Sequence, residues 1–359
     1  MKNTRRSCSR SCSRRVIRLL CAYVLLQSLL LSLLLSGCRS EDEALKKEVK
    51  IGIAAYDQYD NFISELIELI DEDYADIGKE TGVTVYTEVY YGQGSQFSQN
   101  NQVKNMINHG CDVLCVNPVD RTDTSYIIDL AQENEIPVVF FNREPVSEDL
   151  LRSSGFYYVG ADAVQSGVME GELVADYCRD HPEADVNGDG IFQYILMEGE
   201  AGHQDAIIRT EYSINTIEGA GISLERVTSA IANWSGDQAR AKMKSILESG
   251  TRPELIISNN DAMALGVMSA YEEMGIPNEE WPAIFGIDGI AQGLDAIEKG
   301  TMKATVYNDK EGQAEAITGL SYALATGASL DGFELENGTY IWLPYKKVTK
   351  DKVNEFRSQ

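Results

Sequence analysis

A chain of 359 residues with 31 Lys and Arg against 56 Asp and Glu is too long for one ordinary domain and suits two stacked α/β domains. Its formal charge of −25 understates the acidity of the body, because Lys2, Arg5, Arg6, Arg10, Arg14, Arg15 and Arg18 all stand at the very start; without those seven, 24 basic residues face 56 acidic ones, a formal −32 (24 − 56). So acidic a surface disfavours nucleic acid and anionic membrane as partners.

The early cations, with no acid among them, precede an apolar run at positions 19–35, the charged start and apolar middle of an export signal. The run ends in Leu35-Ser36-Gly37-Cys38, which resembles the lipobox of bacterial lipoproteins. That resemblance implies a signal peptide 1–37 cut before Cys38, a lipid on Cys38, and a lipidated linker 38–47 that anchors an extracytoplasmic protein to the cell membrane. The alternative is an uncleaved anchor, since the run just reaches the lower length limit for a span. Gln27, Ser28 and Ser32 interrupt it, however, and small residues before Cys38 are what a signal peptidase needs. Either way the remainder lies outside. A helix-turn-helix repressor would need a basic DNA-reading module at the start; here the acidic Glu41-Asp42-Glu43 leads directly into a strand.

From position 49 onward, short β-rich runs alternate with amphipathic helical ones, the pattern of mostly parallel sheets with helices on both faces. Strands are predicted at 49–55, 83–90, 113–117, 138–142, 157–159, 193–198, 255–259, 283–287 and 305–308. Helices include 62–70, where Phe62, Leu66, Leu69 and Ile70 share a face, and 102–108. Two Rossmann-like halves follow. Nearly every strand ends in a polar loop: Tyr56-Asp57-Gln58-Tyr59-Asp60-Asn61, Phe141-Asn142-Arg143-Glu144, Gly199-Glu200-Ala201-Gly202-His203, Asn259-Asn260-Asp261 and Ile287-Asp288-Gly289. Ligands of open α/β sheets sit at those carboxyl ends, so two facing halves would present their loops to one shared cleft.

Of seven cysteines, Cys38, Cys111, Cys115 and Cys178 remain after cleavage, and with Cys38 lipidated at least one is unpaired. Alternation through Cys111-Asp112-Val113-Leu114-Cys115-Val116 would put Cys111 and Cys115 on one face about 13 Å apart by strand rise. That is too far for a disulfide, so both are expected as small core residues.

Within the second half stands Asp185-Val186-Asn187-Gly188-Asp189-Gly190-Ile191-Phe192-Gln193. It follows the calcium-loop pattern of oxygen ligands at positions 1, 3, 5, 7 and 9 with Gly at 6 for the turn. Asp185, Asn187, Asp189, the Ile191 carbonyl and Gln193 are the candidate ligands. Position 12 is Leu196, which cannot ligate, so a helical EF-hand is excluded. The bland alternative is a solvated Asx-rich turn.

Several segments together resemble the galactose/glucose-binding proteins of bacterial sugar uptake and chemotaxis. They are Asp60-Asn61-Phe62; Val138-Val139-Phe140-Phe141-Asn142 with Glu144-Pro145; Gly202-His203 with Asp205 and Arg209; Trp234; Asn259-Asn260-Asp261-Ala262-Met263-Ala264; Gly286-Ile287-Asp288; and Thr305-Val306-Tyr307-Asn308-Asp309. The resemblance runs from about Val49 to Phe356. It implies a type I periplasmic-binding-protein fold of two Rossmann-like domains, 48–160 with 308–343 and 161–307 with 344–359, joined by a hinge around a ligand cleft. It implies sugar contacts from Asp60, Phe62, Asn142, His203, Asp205, Arg209, Trp234, Asn260, Asp288 and Asn308, and a structural calcium whose missing carboxylate is Glu254. It also implies a monomer that is no enzyme and delivers D-galactose or D-glucose to an ATP-binding-cassette permease.

The chemistry of those residues points the same way. A hexopyranose has a belt of hydroxyls and an apolar C–H patch on each face, so it wants a polar ring and two flat lids. Asp and Asn accept from adjacent hydroxyls, Arg209 and His203 donate, and Phe62 and Trp234 would stack on opposite faces. Taken singly, each has a plainer reading. Asp60 could cap the helix that begins near Phe62, Asp261 is expected to cap its own helix, and His203 could be a surface residue. The stretch between Tyr56 and Asp60, and Arg143, depart from the family pattern and bear on selectivity among epimers. Two other functions use the same residues: a sensor that presents the closed form to a chemoreceptor or histidine-kinase ectodomain, and a glycoside hydrolase using two of these carboxylates.

Overall fold

Short hydrophobic runs that can be buried on both faces set the frame. The structure, a computed structural model, describes residues 46–357; the expected signal peptide and Cys38 lie outside the described residues. In the first sheet, β1 (Glu48–Ala55), β2 (Thr84–Tyr91), β3 (Val113–Val116), β4 (Val138–Phe141), β5 (Phe156–Ala161) and β11 (Tyr340–Leu343) lie in the order β11-β5-β4-β3-β1-β2, every pairing parallel. Period two sorts the side chains. Val113 and Cys115 join Ile51, Ile53 and Val139 on one face, while Leu114 and Val116 join Phe140 on the other.

The second sheet contains β6 (Phe192–Glu198), β7 (Leu224–Ile231), β8 (Leu255–Ser258), β9 (Ala283–Asp288), β10 (Ala304–Tyr307) and β12 (Lys346–Thr349). Its order is β12-β10-β9-β8-β6-β7, parallel except that β12 runs antiparallel to β10. The connecting helices are α1 (Asn61–Thr81), α2 (Gln96–Asn108), α3 (Ser125–Glu133), α4 (Ser147–Leu150), α5 (Ala163–Asp180), α6 (Gln204–Gly219), α7 (Gly236–Glu248), α8 (Asp261–Glu273), α9 (Ala291–Lys299) and α10 (Lys310–Thr326). In both sheets the order reverses once, between β1 and β3 and between β6 and β8. That reversal is where an open α/β sheet leaves a crevice for a ligand.

The strands expected from the sequence all form, with ends shifted by a residue or two. The expected helices are longer than the runs that announced them: α1 continues through Tyr74, which is buried and bonded to Ser321 Oγ of α10 at 2.6 Å. Three strands, β7, β11 and β12, were not anticipated. β7 is an edge strand with no fully buried residue, and β12 opens on two lysines, so neither shows an apolar run; charged edges of this kind resist pairing with other chains.

Cys111 corrects one expectation. It sits opposite Cys115, with Met106 and Leu114, not on the same face. The chain bends at Asp112 and the Cys111 N–H closes the end of α2 on Met106 O at 3.1 Å, so strand periodicity has not yet begun there. Cys111, Cys115 and Cys178 are free and buried, and burial pushes each thiol up to about 12.

Candidate functional site

The loops after β1, β4, β6, β7, β8 and β9 converge on one narrow cavity lined by Tyr56, Asp60, Phe62, Asn142, Arg143, His203, Asp205, Arg209, Trp234, Asn260 and Asp288. Nine of the ten residues expected to touch ligand are in that lining. Asn308 is not; its N–H donates to Asp288 O at 3.0 Å and its Oδ1 accepts from Gln313 Nε2 at 2.7 Å, which makes it a neighbour of the wall. The slot is tight, with about 30 Å³ of free volume, enough for a water or two. It adjoins a wider chamber of about 870 Å³, and the two share Tyr56, Asp60, Arg143 and Trp234 as walls.

Helix starts hold many of these side chains. Asp60 is the N-cap of α1, with Oδ1 accepting from Ile63 N at 3.0 Å while Oδ2 accepts from Tyr56 Oη at 2.6 Å. His203 caps α6 by accepting from Asp205 N at Nδ1, 3.1 Å away, which leaves the proton on Nε2 as a donor. Asn260 caps α8, its Oδ1 on Met263 N at 3.0 Å and its Nδ2 donating to Trp234 O at 3.3 Å. The expected cap, Asp261, does not cap its own helix; its carboxylate leaves for the β9–α9 loop.

Backbone strain clusters here. Asn142 (φ 59°), Asn233 (φ 50°), Trp234 (φ 63°) and Asp288 (φ 121°) all adopt a region that costs an L residue energy unless its surroundings insist. At Gly199 a Cβ would meet Trp234 at 2.3 Å, so only glycine lets the indole lie flat against the β6 loop. There Trp234 meets His203 edge-on at 5.2 Å and lies 5.7 Å from the Arg209 guanidinium.

Arg209 is the fixed cation. It is buried, with Nη1 on Asn259 O at 2.7 Å and 3.5 Å from Asp288 Oδ1, and Nη2 on Tyr345 Oη at 3.1 Å, while Nε has no protein partner. Burial works against its charge, but Tyr345, Asp288 and Asp205 outweigh that and raise its pKa. Burial raises the pKa of both Asp288 and Asp205, with Arg209 opposing. A tight ion pair would instead have lowered the aspartate; at 3.5 Å the Arg209–Asp288 contact is too long for a charge-assisted bond, and burial prevails. Burial, together with Arg143, Arg209 and Arg121, pushes His203 down to about 2, so its ring is neutral at physiological pH.

Contacts that span the cleft include Arg143 Nη2 to Glu200 Oε2 at 2.9 Å and Ala291 N to Glu65 Oε1 at 3.2 Å. The Arg143 guanidinium also stacks 3.6 Å above the Tyr56 ring. Sequence reasoning placed Arg143 beside the cleft but gave it no partner, and it missed Tyr345, which reaches the site from the β11–β12 crossing, where no motif marks it.

The second expected site gathers as well. Gly188 N and Gly190 N donate to Asp185 Oδ1 and Oδ2 at 2.8 Å, and Asp189 N donates to Asn187 Oδ1 at 2.8 Å. The Gln193 amide reaches Asn187, Asp189 and the Ile191 carbonyl. Glu254, 7% exposed, comes across to accept from Val186 N at 2.6 Å and Gln193 N at 2.9 Å. Among the described residues no group of three or more His, Cys, Asp or Glu is gathered as a metal centre. This loop is a different kind of donor set, all oxygen and mostly amide, carbonyl and carboxylate from successive positions. That suits a hard cation, and an amide whose nitrogen faces inward presents its oxygen after a simple rotation.

A model of the periplasmic binding protein domain matches residues 51–329. The chain is 35% identical over 321 residues to the D-galactose/methyl-galactoside binding periplasmic protein MglB of Haemophilus influenzae, covering 88% of this chain and 94% of that one. The chain belongs to the periplasmic binding protein family. It is 28% identical over 322 residues to the xylitol-binding protein of Mycolicibacterium smegmatis, covering 89% of this chain and 82% of that one. A solved structure, an ABC transporter solute binding protein from Bacillus halodurans with bound myo-inositol, superposes with a TM-score of 0.72 at 27% identity over 89% of this chain and 99% of that one. The chain is thus an extracytoplasmic solute-binding protein, a receptor and not an enzyme. No helix among the described residues is long and apolar enough to cross a membrane.

Proposed function

We propose that the protein binds a single aldohexose, D-galactose or D-glucose, by closing its two lobes on it, and hands it to the permease of an importer. The observation that carries this reading is the layout of the slot. Arg209 Nε is a buried donor without a protein partner, and His203 Nε2–H is a second donor held by its cap bond. Around them Asp205 and Asp288 are carboxylates that gain ionisation when hydroxyls donate to them. Phe62 and Trp234 enter from opposite lobes, with the polar residues between them. A ring with hydroxyls at its rim and C–H faces above and below satisfies each group, whereas a charged solute would leave one sign unpaired. Micromolar affinity needs only about −8 kcal/mol, within reach of several charge-assisted bonds and two stacking contacts.

Galactose is favoured over the polyols because the relative at 35% identity, whose name carries D-galactose, covers nearly the whole chain. Calorimetry with galactose, glucose, ribose, xylose, arabinose and myo-inositol tests the choice. Heat with a hexose and weaker heat with the others is expected; a chain that took up only inositol or a pentose would overturn the hexose reading.

We also infer that the loop 185–193 with Glu254 holds a calcium ion in a structural role. Such an ion would tie the entry of β6 to the entry of β8 through ligands on Asp185, Asn187, Asp189, Ile191, Gln193 and Glu254, and would add folding free energy on binding. A monomer on a lipid at Cys38 would stay beside its permease without an enclosed periplasm.

A further inference from the structure

Asp261 is the first residue of α8, yet its side chain serves another part of the fold. It is fully buried. Oδ2 accepts from Gly289 N at 2.8 Å and Ile290 N at 3.1 Å, and Oδ1 accepts from Thr305 Oγ1 of β10 at 2.6 Å. Gly286 and Gly293 make room for it: at either one a Cβ would lie 2.4 Å from an Asp261 oxygen. Side chains at both positions would push this carboxylate out.

The two N–H groups it holds belong to the residues just after Asp288, whose φ is 121°, followed by Gly289 at 69°. Consecutive residues with positive φ turn the chain sharply at the end of β9, and a non-glycine there stays only where surrounding contacts over-determine it. Asp261 supplies such contacts, two backbone hydrogen bonds directly behind Asp288. Ile290 is the N-cap of α9 and has no side-chain cap of its own, so the carboxylate also serves that helix start. In front of the turn the Asp288 carboxylate faces Arg209 across 3.5 Å, and on the other side of Asp261 the preceding residue, Asn260, lines the same slot. One buried carboxylate therefore links the placement of two slot residues without entering the slot itself.

We propose that Asp261 is a positioning residue for sugar binding, acting through Asp288. The inference rests on the sugar-binding reading above. Its test is a double-mutant cycle with D-galactose as probe, affinities read by calorimetry for the wild type, Asp261→Ala, Asp288→Asn and the double variant. Each single change is expected to weaken binding about thirtyfold, and the double variant to fall within about threefold of the weaker single. Independent effects would multiply to about a thousandfold, and that result overturns the proposal. Asp261→Asn, which keeps a carbonyl for Gly289 and Ile290 and can donate to Thr305 Oγ1, is expected to restore affinity to within about fivefold of wild type; a loss as deep as that of Asp261→Ala with the fold intact also overturns it. Should Asp261→Ala fail to fold, Asp261→Ser, too short to reach the loop, takes its place in the cycle. Absence of galactose binding by the wild type would instead strike the hexose reading, a distinct outcome visible before any variant is compared.

Discussion

Glu170 is a buried acid outside the slot, and replacing it with Gln isolates what it costs the fold. It lies on α5, fully buried, with Oε2 accepting from Ser213 Oγ of α6 and Oε1 without a partner. Burial pushes it up to about 8 against an ordinary 4.5, although Ser213 and Arg209 pull the other way. A raised carboxylate pKa means that folding takes up a proton. The contribution to stability is fully present below about 4.5 and is lost as pH rises toward 8. At about 1.4 kcal/mol per pH unit, the loss between pH 5 and pH 7 comes to roughly 2.5 kcal/mol as an upper figure. Glu170→Gln is neutral at every pH and nearly the same shape. Urea unfolding of the sugar-free protein at pH 5, 6, 7 and 8 is expected to show little difference at pH 5, a variant more stable by about 2 kcal/mol at pH 7, and a larger gap at pH 8. Other titrating groups cancel in the difference. Glu170 is not among the slot's lining residues and is mostly neutral at pH 7, as Gln is, so sugar affinity should move less than about twofold there. Parallel profiles for the two proteins, or a variant less stable at pH 8, would refute the reasoning.

Trp234→Ala should weaken hexose binding by about thirtyfold or more, and Trp234→Phe by much less, because the flat face matters more than the indole N–H; calorimetry separates the two, and an alanine variant that binds normally would remove the stacking lid. Breaking the cross-cleft bridge with Arg143→Ala or Glu200→Gln should speed sugar dissociation by less than about tenfold, since Glu200 is half-exposed and water screens the pair. Stopped-flow release is the measurement, and the arginine variant should show the larger effect because it also strips the Tyr56 stack. Chelation should lower the melting temperature by several degrees, restored by added calcium, whereas Glu254→Gln should make the melting temperature nearly insensitive to chelator. Identical calorimetric scans of the wild type with and without chelator would count against the metal.

How legible the molecule was depended on the range of the contact that decides each feature. Strands such as Val113–Val116 are buried on both faces, so period and apolar content alone reveal them, and the polar loops behind them followed at once. Cys111 was misplaced because a bend at Asp112 stops the alternation two residues before the strand, and nothing in composition marks a bend. Tyr345 meets Arg209 from 136 residues away, and Arg143 meets Glu200 from 57, so neither pairing is marked by local pattern. The aspartates show most clearly where single-residue reasoning ends. A lone Asp after a strand offers two readings, cap or ligand, and each case resolves differently. Asp261 is neither, because its partners lie 28, 29 and 44 residues away in the chain. Asp60 is compatible with both: one oxygen holds the start of α1 while the other, bonded to Tyr56, lines the slot. A carboxylate has two oxygens and several lone pairs. Capping therefore does not remove Asp60 from the slot; it fixes the rotamer that keeps the second oxygen, with Tyr56, in the wall.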